Sequence, residues 1–465
     1  MEEEVGKQPE TEQSFEEKDL INENGSNNVR SGVFETVDEA IARAKKAQKE
    51  FAKMCLADRK KVIDAVREAM LLQVDVMAQR AFLETGLGNA DDKVNKHKLA
   101  ILKTPGVEDL VAGVQTGDHG MTLYELSPYG VIGALTPSTN PTETIISNAI
   151  AMLAAGNAIY FGTHPSAKNC CLIVIEQLNN IIKEVIGIED LIVTIKQPTV
   201  KAAEEMMAHP DIALLVITGG SAVVKKAMSS GKKVIAAGAG NPPVIVDETA
   251  NIEKAASDIV SGASFDNNIL CIAEKSIIAV DSIADSLMVQ MEKNDAFFLK
   301  NEEDINKMID TVTVDRKSMN GAFIGKSTTE ILKAANIDCD FSPRLIVFEA
   351  TKDHPLAKLE QLMPVIPFIR VSDFDEAFDI ALELEKGYGH TAVLHSQNIS
   401  RLNRADRDFQ TAIFVKNGPS YAGLSFLGEG AASFTIATPT GEGVTTARHF
   451  AKARRCVLID AFSVS

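Results

Sequence analysis

The chain has 465 residues, of which 45% are apolar and 24% charged, enough for two or three domains with full cores and no need of disulfide or metal staples. Its formal net charge of −17 argues against general affinity for nucleic-acid backbones or anionic lipid surfaces, while leaving room for a local phosphate pocket. No window offers about 18 uninterrupted apolar residues, the N-terminus lacks a basic-then-apolar leader, and the six scattered cysteines contain no CxxC pair and read as reduced cytosolic thiols.

The first 30 residues hold nine acidic side chains against three basic ones. Residues 1–32 read as a mobile acidic tail, with a short docking helix around Phe15, Leu20 and Ile21 as the alternative. From residue 36 helical periodicity begins, with Asp38 as the expected cap of the first helix, and it continues from Leu56 to Met77. The stretch 117–130 has β character and reads either as a surface hairpin or as an arm that pairs with another subunit.

From 131 to 250 the pattern alternates regularly. VIGALTP, AIYFGTHP, LIVTIKQP, IALLVITGG and KKVIAAGAG are strands, and the segments between them are helices. Gly156, Gly187 and Gly231 stand where helices end. Continuous apolar strands separated by helices imply a parallel, doubly wound α/β sheet, with ligands at the strands' C-terminal ends. The loops to watch are therefore TPSTNPT, GTHPSAK, ITGGS and GAGNPP. A second α/β series follows from about 251, and a basic-then-apolar tail ends the chain.

Several residues have the chemistry for catalysis. Cys271 lies between a predicted helix (252–263) and a predicted strand (274–280), as either a nucleophile near backbone N–H groups or a buried thiol. Cys170 and Cys171 read as core, and Cys55 and Cys456 as structural. Asn140, at a strand end, either donates to an oxyanion or forms an Asx turn. The ITGGS and GAGNPP glycines allow close approach of backbone to a ligand, or simply turn. No Ser-His-Asp spacing, HExxH or P-loop occurs.

Taken in order, TPSTNPTETIISNAIAMLAAGNAIYFGTHPSAK, ITGG, GKKVIAAGAGNPPVIVDETA, GASFDNNILCIAEKS, EQLMPV, GHTAVLHS, FVKNGPSYAG and TIATPTGEGVTTAR resemble the aldehyde dehydrogenase superfamily. They are most similar to its CoA-acylating acetaldehyde and propionaldehyde branch, associated with bacterial microcompartments. The resemblance covers about residues 33–465. It implies a Rossmann-type dinucleotide domain (33–116 and 131–247), an α/β catalytic domain (248–439) and a β oligomerisation arm (117–130 and 440–465).

By resemblance, Cys271 is the nucleophile and Asn140 the oxyanion amide. Thr136, Pro137, Ser138 and Thr139 form the loop beside the cofactor. Ile217, Thr218, Gly219 and Gly220 form the turn over it, and Gly238 lies close by. Glu360 matches the carboxylate on the nicotinamide ribose. His164 replaces the usual lysine near the adenosine ribose, which leaves NAD against NADP open. His390 is a candidate for deprotonating CoA, or a structural histidine. Where hydrolytic members carry the glutamate that activates water, this chain has Ala237, which favours transfer to a thiol.

The implied reaction oxidises a short aldehyde with NAD and coenzyme A to acyl-CoA, in a homodimer or homotetramer. Shell proteins and an alcohol dehydrogenase are the partners of a microcompartment setting, although the acidic tail is a poor match to an amphipathic targeting helix. No nucleic acid or membrane is expected. The alternatives are a hydrolytic aldehyde dehydrogenase, a non-catalytic scaffold, or a glutamyl-phosphate reductase relative. The last expects a basic phosphate cluster near the nucleophile, where only Lys275 is found.

Overall fold

The computed structural model describes residues 30–462; most of the expected acidic tail lies outside the described residues. Helix Val37–Phe51 opens the α-helical region. Its cap is Thr36, whose hydroxyl accepts the Glu39 N–H at 3.3 Å, so Asp38 is not the cap. It sits in the first turn, where its charge complements the helix dipole. The periodicity from Leu56 to Met77 breaks into two helices, Leu56–Leu71 and Val74–Thr85.

Two parallel sheets organise the remainder. The six-stranded sheet contains Val33–Phe34, Val131–Leu135, Ala158–Gly162, Ile192–Ile195, Ile212–Thr218 and Lys233–Ala237. The five strands expected from residue 131 onward are all present, and every pairing is parallel. Val131–Leu135 lies at the turning point. The chain winds outward from it through Ala158–Gly162 to Ile192–Ile195, then returns to its other side as Ile212–Thr218. Such a reversal opens a crevice at the strands' C-terminal ends, here between the loop after Leu135 and the turn after Thr218. Helix Pro141–Ala154, which follows the central strand, is buried all round, as its Ile- and Ala-rich sequence requires.

The seven-stranded sheet is also parallel throughout. Its strand Pro243–Val246 pairs with Ser276–Val280 and Thr391–His395. The chain therefore changes sheet between Ala237 and Pro243, ahead of the expected seam at 247/248. Pro242-Pro243 looks like a terminator, but a proline at the first position of a strand forfeits little of the ladder. The Asn241 side chain pins this crossing by donating to the Ala357 and Leu384 carbonyls at 2.9 and 2.8 Å.

A separate three-stranded antiparallel ribbon joins Gly113–Gly117, Gly120–Pro128 and Ala451–Ile459. The hairpin thus starts at Gly113, ahead of the expected residue 117. Cys170 and Cys171 are buried as expected, whereas Cys55 and Cys456 are exposed and have no core to hold.

Candidate active site

The crevice predicted by the topology is a cavity of about 290 Å³. Loop residues Pro137, Ser138, Thr139 and Asn140 line it, with His164, Thr218, Gly219, Gly220, Gly238, Cys271 and Glu360. Three expected site residues stand off the wall. Thr136 is buried at the root of its loop with its hydroxyl unpaired, Ile217 is fully buried in its strand, and His390 lies one layer back.

Asn140 immediately precedes helix Pro141–Ala154, yet its side chain makes no cap bond, so the Asx turn does not form. Its amide touches only Thr139 Oγ1, at 3.2 Å, and its Oδ1 has no partner among the described residues. Thr139 takes only one of the two Nδ2 N–H donors, and the second, on a buried amide facing a cavity, suits a ligand oxygen.

Cys271 is not at a strand edge. Helix Ile252–Ser264 gives way to a short turn, Phe265–Asn268, and the strand begins only at Ser276. Asp266, Asn267 and Asn268 are consecutively left-handed, with φ of 47°, 52° and 62°. Asp and Asn tolerate this region better than other side-chain-bearing residues, and neighbouring groups hold it. The Asn267 amide donates to the Gly88 and Gly325 carbonyls, both at 2.9 Å. The Asp266 N–H donates to Asp92 Oδ2 at 2.8 Å, and its carboxylate accepts the Asn89 N–H at 2.6 Å. Lys93 Nζ lies 3.2 Å from the same carboxylate and Lys96 is hydrogen-bonded to it; Lys96 also lies 3.4 Å from Glu143. All four charged side chains are buried.

Burial pushes the Cys271 thiol up to about 12, and the Glu360 carboxylate adds to this; Lys275 and the N–H groups of Cys271 and Ile272 oppose it. Burial therefore disfavours the thiolate form at this position. Glu360 accepts the Gly240 N–H at 3.3 Å, and burial raises its pKa. Gly240 has no room for a side chain: a Cβ there would sit 2.7 Å from the Cys271 carbonyl and 3.0 Å from the His390 ring. His390 is thus separated from the nucleophile by one glycine. Burial keeps it neutral, with a pKa of about 4, and its Nδ1 pairs with Thr391 Oγ1 at 2.9 Å.

The turn over the crevice fits a dinucleotide. Gly220 precedes helix Ser221–Met228, no side chain caps that helix, and a Cβ on Gly220 would meet nothing within 4 Å. The Val223 and Val224 N–H groups donate to the Gly220 carbonyl at 3.1 and 3.2 Å, which leaves those of Ser221 and Ala222 for a pyrophosphate. His164 sits at the rim, its Nδ1 accepting from Ser166 Oγ at 2.7 Å.

Residues 8–438 match the aldehyde dehydrogenase family. The chain belongs to that family. It is 51% identical over 435 residues to the propanal dehydrogenase (CoA-propanoylating) of Citrobacter freundii, covering 93% of this chain and 94% of that one. A crystal structure of Rhodopseudomonas palustris propionaldehyde dehydrogenase with bound CoA and an acylated cysteine superposes with a TM-score of 0.92 at 46% identity, over 94% of this chain and all of that one. A propionaldehyde dehydrogenase from the fucose utilisation microcompartment of Clostridium phytofermentans gives 0.91 at 42% identity, over 94% of this chain and all of that one.

This aldehyde dehydrogenase also carries cavity residues to which the sequence assigned no role. Ile269, Leu270, Ile272, Leu362, Leu424, Phe434 and Ile436 give the wall its apolar character, and Ala239 joins them. Leu362 and Ile436 lie inside EQLMPV and TIATPTGEGVTTAR, strings that mark the family without naming these side chains. Phe434 and Leu424 have no marker in sequence, because only the three-dimensional path of residues 420–437 brings them to the cavity.

Proposed function

We propose that the protein oxidises a short aldehyde, acetaldehyde or propionaldehyde, with NAD and coenzyme A to acyl-CoA, reversibly, through a thioester on Cys271. One observation carries the proposal. Cys271, Asn140 and Ala237 share a cavity beneath an open glycine turn, and among the described residues its only lining carboxylate is Glu360. The relatives' CoA-acylating activities support the same reading.

In the proposed mechanism, Cys271 Sγ gives its proton to solvent water at the cavity mouth and, as thiolate, adds to the aldehyde carbon while the carbonyl π pair moves to oxygen. The Asn140 amide and the Cys271 N–H donate to that oxyanion; one such donor contributes about 2.7–4 kcal/mol. Bound NAD supplies the hydride acceptor. When the carbonyl reforms, the carbon loses hydride and stays on sulfur as a thioester. The thiolate of CoA then adds to the same carbon, and Cys271 leaves as thiolate. Glu360 is assigned to the ribose and the Gly219–Gly220 turn to the pyrophosphate, with His164 at the adenosine end. Thr136, Pro137, Ser138 and Thr139 shape the cofactor side, with Ile217, Thr218 and Gly238 on the facing wall. His390, neutral behind Gly240, is assigned as acceptor of the CoA thiol proton.

The ribbon is assigned to self-association. Val114, Tyr124, Val457, Leu458 and Ile459 are exposed on it, and an open ribbon with apolar side chains suits pairing with another copy. The division into dinucleotide domain, catalytic domain and arm follows the same assignment. Among the described residues no helix is long and apolar enough to cross a membrane. A cytoplasmic protein enclosed in a bacterial microcompartment, beside shell proteins and an alcohol dehydrogenase, is the setting suggested by a relative from such a compartment.

The decisive experiment measures NADH formation from C2 to C6 aldehydes with and without CoA. CoA dependence in the parent and its loss in Cys271→Ser support the reading. NADH formation that persists in Cys271→Ser, or that ignores CoA, overturns it.

A further inference from the structure

Lys275 is fully buried behind the nucleophile loop. Among the described residues no carboxylate forms an ion pair with it. Its ammonium instead donates to the Asn268 carbonyl at 2.9 Å, the Leu270 carbonyl at 3.2 Å and the Asn268 side-chain oxygen. Its own backbone is fixed, because the N–H donates to the Pro242 carbonyl at 2.8 Å and the carbonyl accepts from the Gln361 amide at 3.0 Å. An unpaired ammonium is costly to bury, and an apolar side chain would fill this space at lower cost, so packing alone does not account for it.

Geometry supplies a reason. No peptide bond in the described chain is cis. In a trans peptide the C=O and the N–H point in opposite directions. Lys275, together with the Ala273 N–H at 3.1 Å, draws the Leu270 carbonyl backward, so the N–H of that peptide unit, which belongs to Cys271, is directed forward. That N–H and the next one, from Ile272, favour the Cys271 thiolate. A cation on the carbonyl also polarises the peptide and strengthens its N–H as a donor.

We propose that Lys275 is the positioning residue of the oxyanion pocket: its ammonium holds the carbonyls of the 268–270 segment behind the loop and thereby aims the Cys271 N–H at the reacting carbonyl oxygen. This rests on Cys271 being the nucleophile. The same charge favours the thiolate across the loop, against Glu360. The other groups facing the ammonium are the Glu274 carboxyl, which is engaged by the Ser420 N–H and hydroxyl at 2.7 and 2.8 Å, and the neutral His390 ring. Burial lowers Lys275 to about 8, and Glu360, Cys271 and Glu274 counteract the drop, so the side chain is predominantly charged at pH 7.

The test compares Lys275→Met, Lys275→Gln and Lys275→Arg with the parent. Two quantities are read on folded protein: kcat with aldehyde, NAD and CoA, and the rate of Cys271 alkylation by iodoacetamide at about pH 8, with Cys271→Ser as background. In the neutral variants kcat is expected to fall about 10²-fold, the low end for loss of one oxyanion donor, with KM for NAD within threefold. The alkylation rate is expected to fall about tenfold, as for a loss of thiolate equal to one pKa unit, and Lys275→Arg to restore most of it. A merely structural role would lower thermal stability while leaving kcat per folded molecule and the alkylation rate in place. A folded neutral variant with kcat within threefold of the parent, or an unchanged alkylation rate, overturns the proposal. So does failure of both neutral variants to fold. A parent that forms no NADH overturns the dehydrogenase reading instead, because alkylation reports on Lys275 without turnover.

Discussion

The buried charge cluster under the nucleophile loop makes a quantitative stability prediction. Asp266→Asn keeps the shape of the side chain and one oxygen for the Asn89 N–H, but removes the charge that faces Lys93 and Lys96. Two buried ammoniums would then share the Glu143 carboxylate, which already works against its own burial. Lys96, His97 and Lys93 outweigh that burial and hold Glu143 down at about 2. Breaking a buried pair from one side costs about 3–5 kcal/mol. With about 2.1 cal/mol/K of unfolding entropy per residue, a chain of this length unfolds with about 1 kcal/mol/K. The predicted loss in Tm is therefore about 3–5 °C for whole-chain unfolding, and more if one half unfolds alone. The chain has no tryptophan, so circular dichroism is the suitable probe. The double variant Lys93→Met/Asp266→Asn restores neutrality, keeps the Lys96–Glu143 contact and should regain at least half of the loss. A single variant within 1 °C of the parent would refute the argument that these lysines anchor the left-handed turn.

Three further outcomes follow from the site and its surroundings. Ala237→Glu places a carboxylate on the cavity wall and should raise CoA-independent aldehyde oxidation, by up to the 10²–10⁴-fold typical of a positioned base; unchanged CoA-independent turnover in a folded variant counts against Ala237 as the reason for acyl transfer. Asn140→Ala should lower kcat by about 10²–10³-fold with KM for CoA little changed, and a loss under tenfold would remove Asn140 from the oxyanion pocket. Burial, reinforced by Lys254, pushes His395 down to about 3, so in the folded chain it is neutral while the unfolded chain takes up a proton below about 6.5. Its contribution to stability is present above pH 6.5 and is lost as pH falls toward 3. Urea titrations of His395→Gln between pH 6.5 and 4 should show a slope shallower by about 1.4 kcal/mol per pH unit, and parallel slopes would contradict this.

What the sequence revealed follows physical lines. The strands and helices from Val131 to Ala237 were legible because parallel strands covered on both faces are unbroken apolar runs with helices between them. The switch point, and with it the place of the cavity, followed from that alternation. Pro243–Val246 was hidden because Pro-Pro reads as an ending, and Ala296–Leu299 because four apolar residues have no period. Thr36 and Asp38 are both good caps, and only backbone geometry decides between them. The Asp266–Asn268 turn was invisible, since FDNN does not announce three left-handed residues. Lys275 and the Lys93–Lys96–Asp266 cluster were equally hidden, because charged residues are expected outside and their partners lie far away in sequence. Most of the polar residues that line the cavity were therefore readable as its lining, and the devices that hold them in place were not.

The proposed choice of a thiol over water as acyl acceptor comes from what the cavity lacks. Water attacking a thioester must lose a proton as it adds, so it needs a base at hydrogen-bond distance. At position 237 the wall offers a methyl group. The remaining lining carboxylate, Glu360, is engaged by the Gly240 N–H. The apolar side chains from Ile269 to Ile272 and from Leu424 to Ile436 give a water molecule few partners to orient it. A CoA thiol can lose its proton before it attacks, and a thiolate needs only the same two donors that served the aldehyde oxygen. Exchange of one thioester for another is close to balanced in free energy, so the site catalyses both directions, and the same oxyanion pocket serves the acylating and deacylating halves. On this account loss of Asn140 slows both halves together, whereas Ala237→Glu opens a third route and leaves the first two in place.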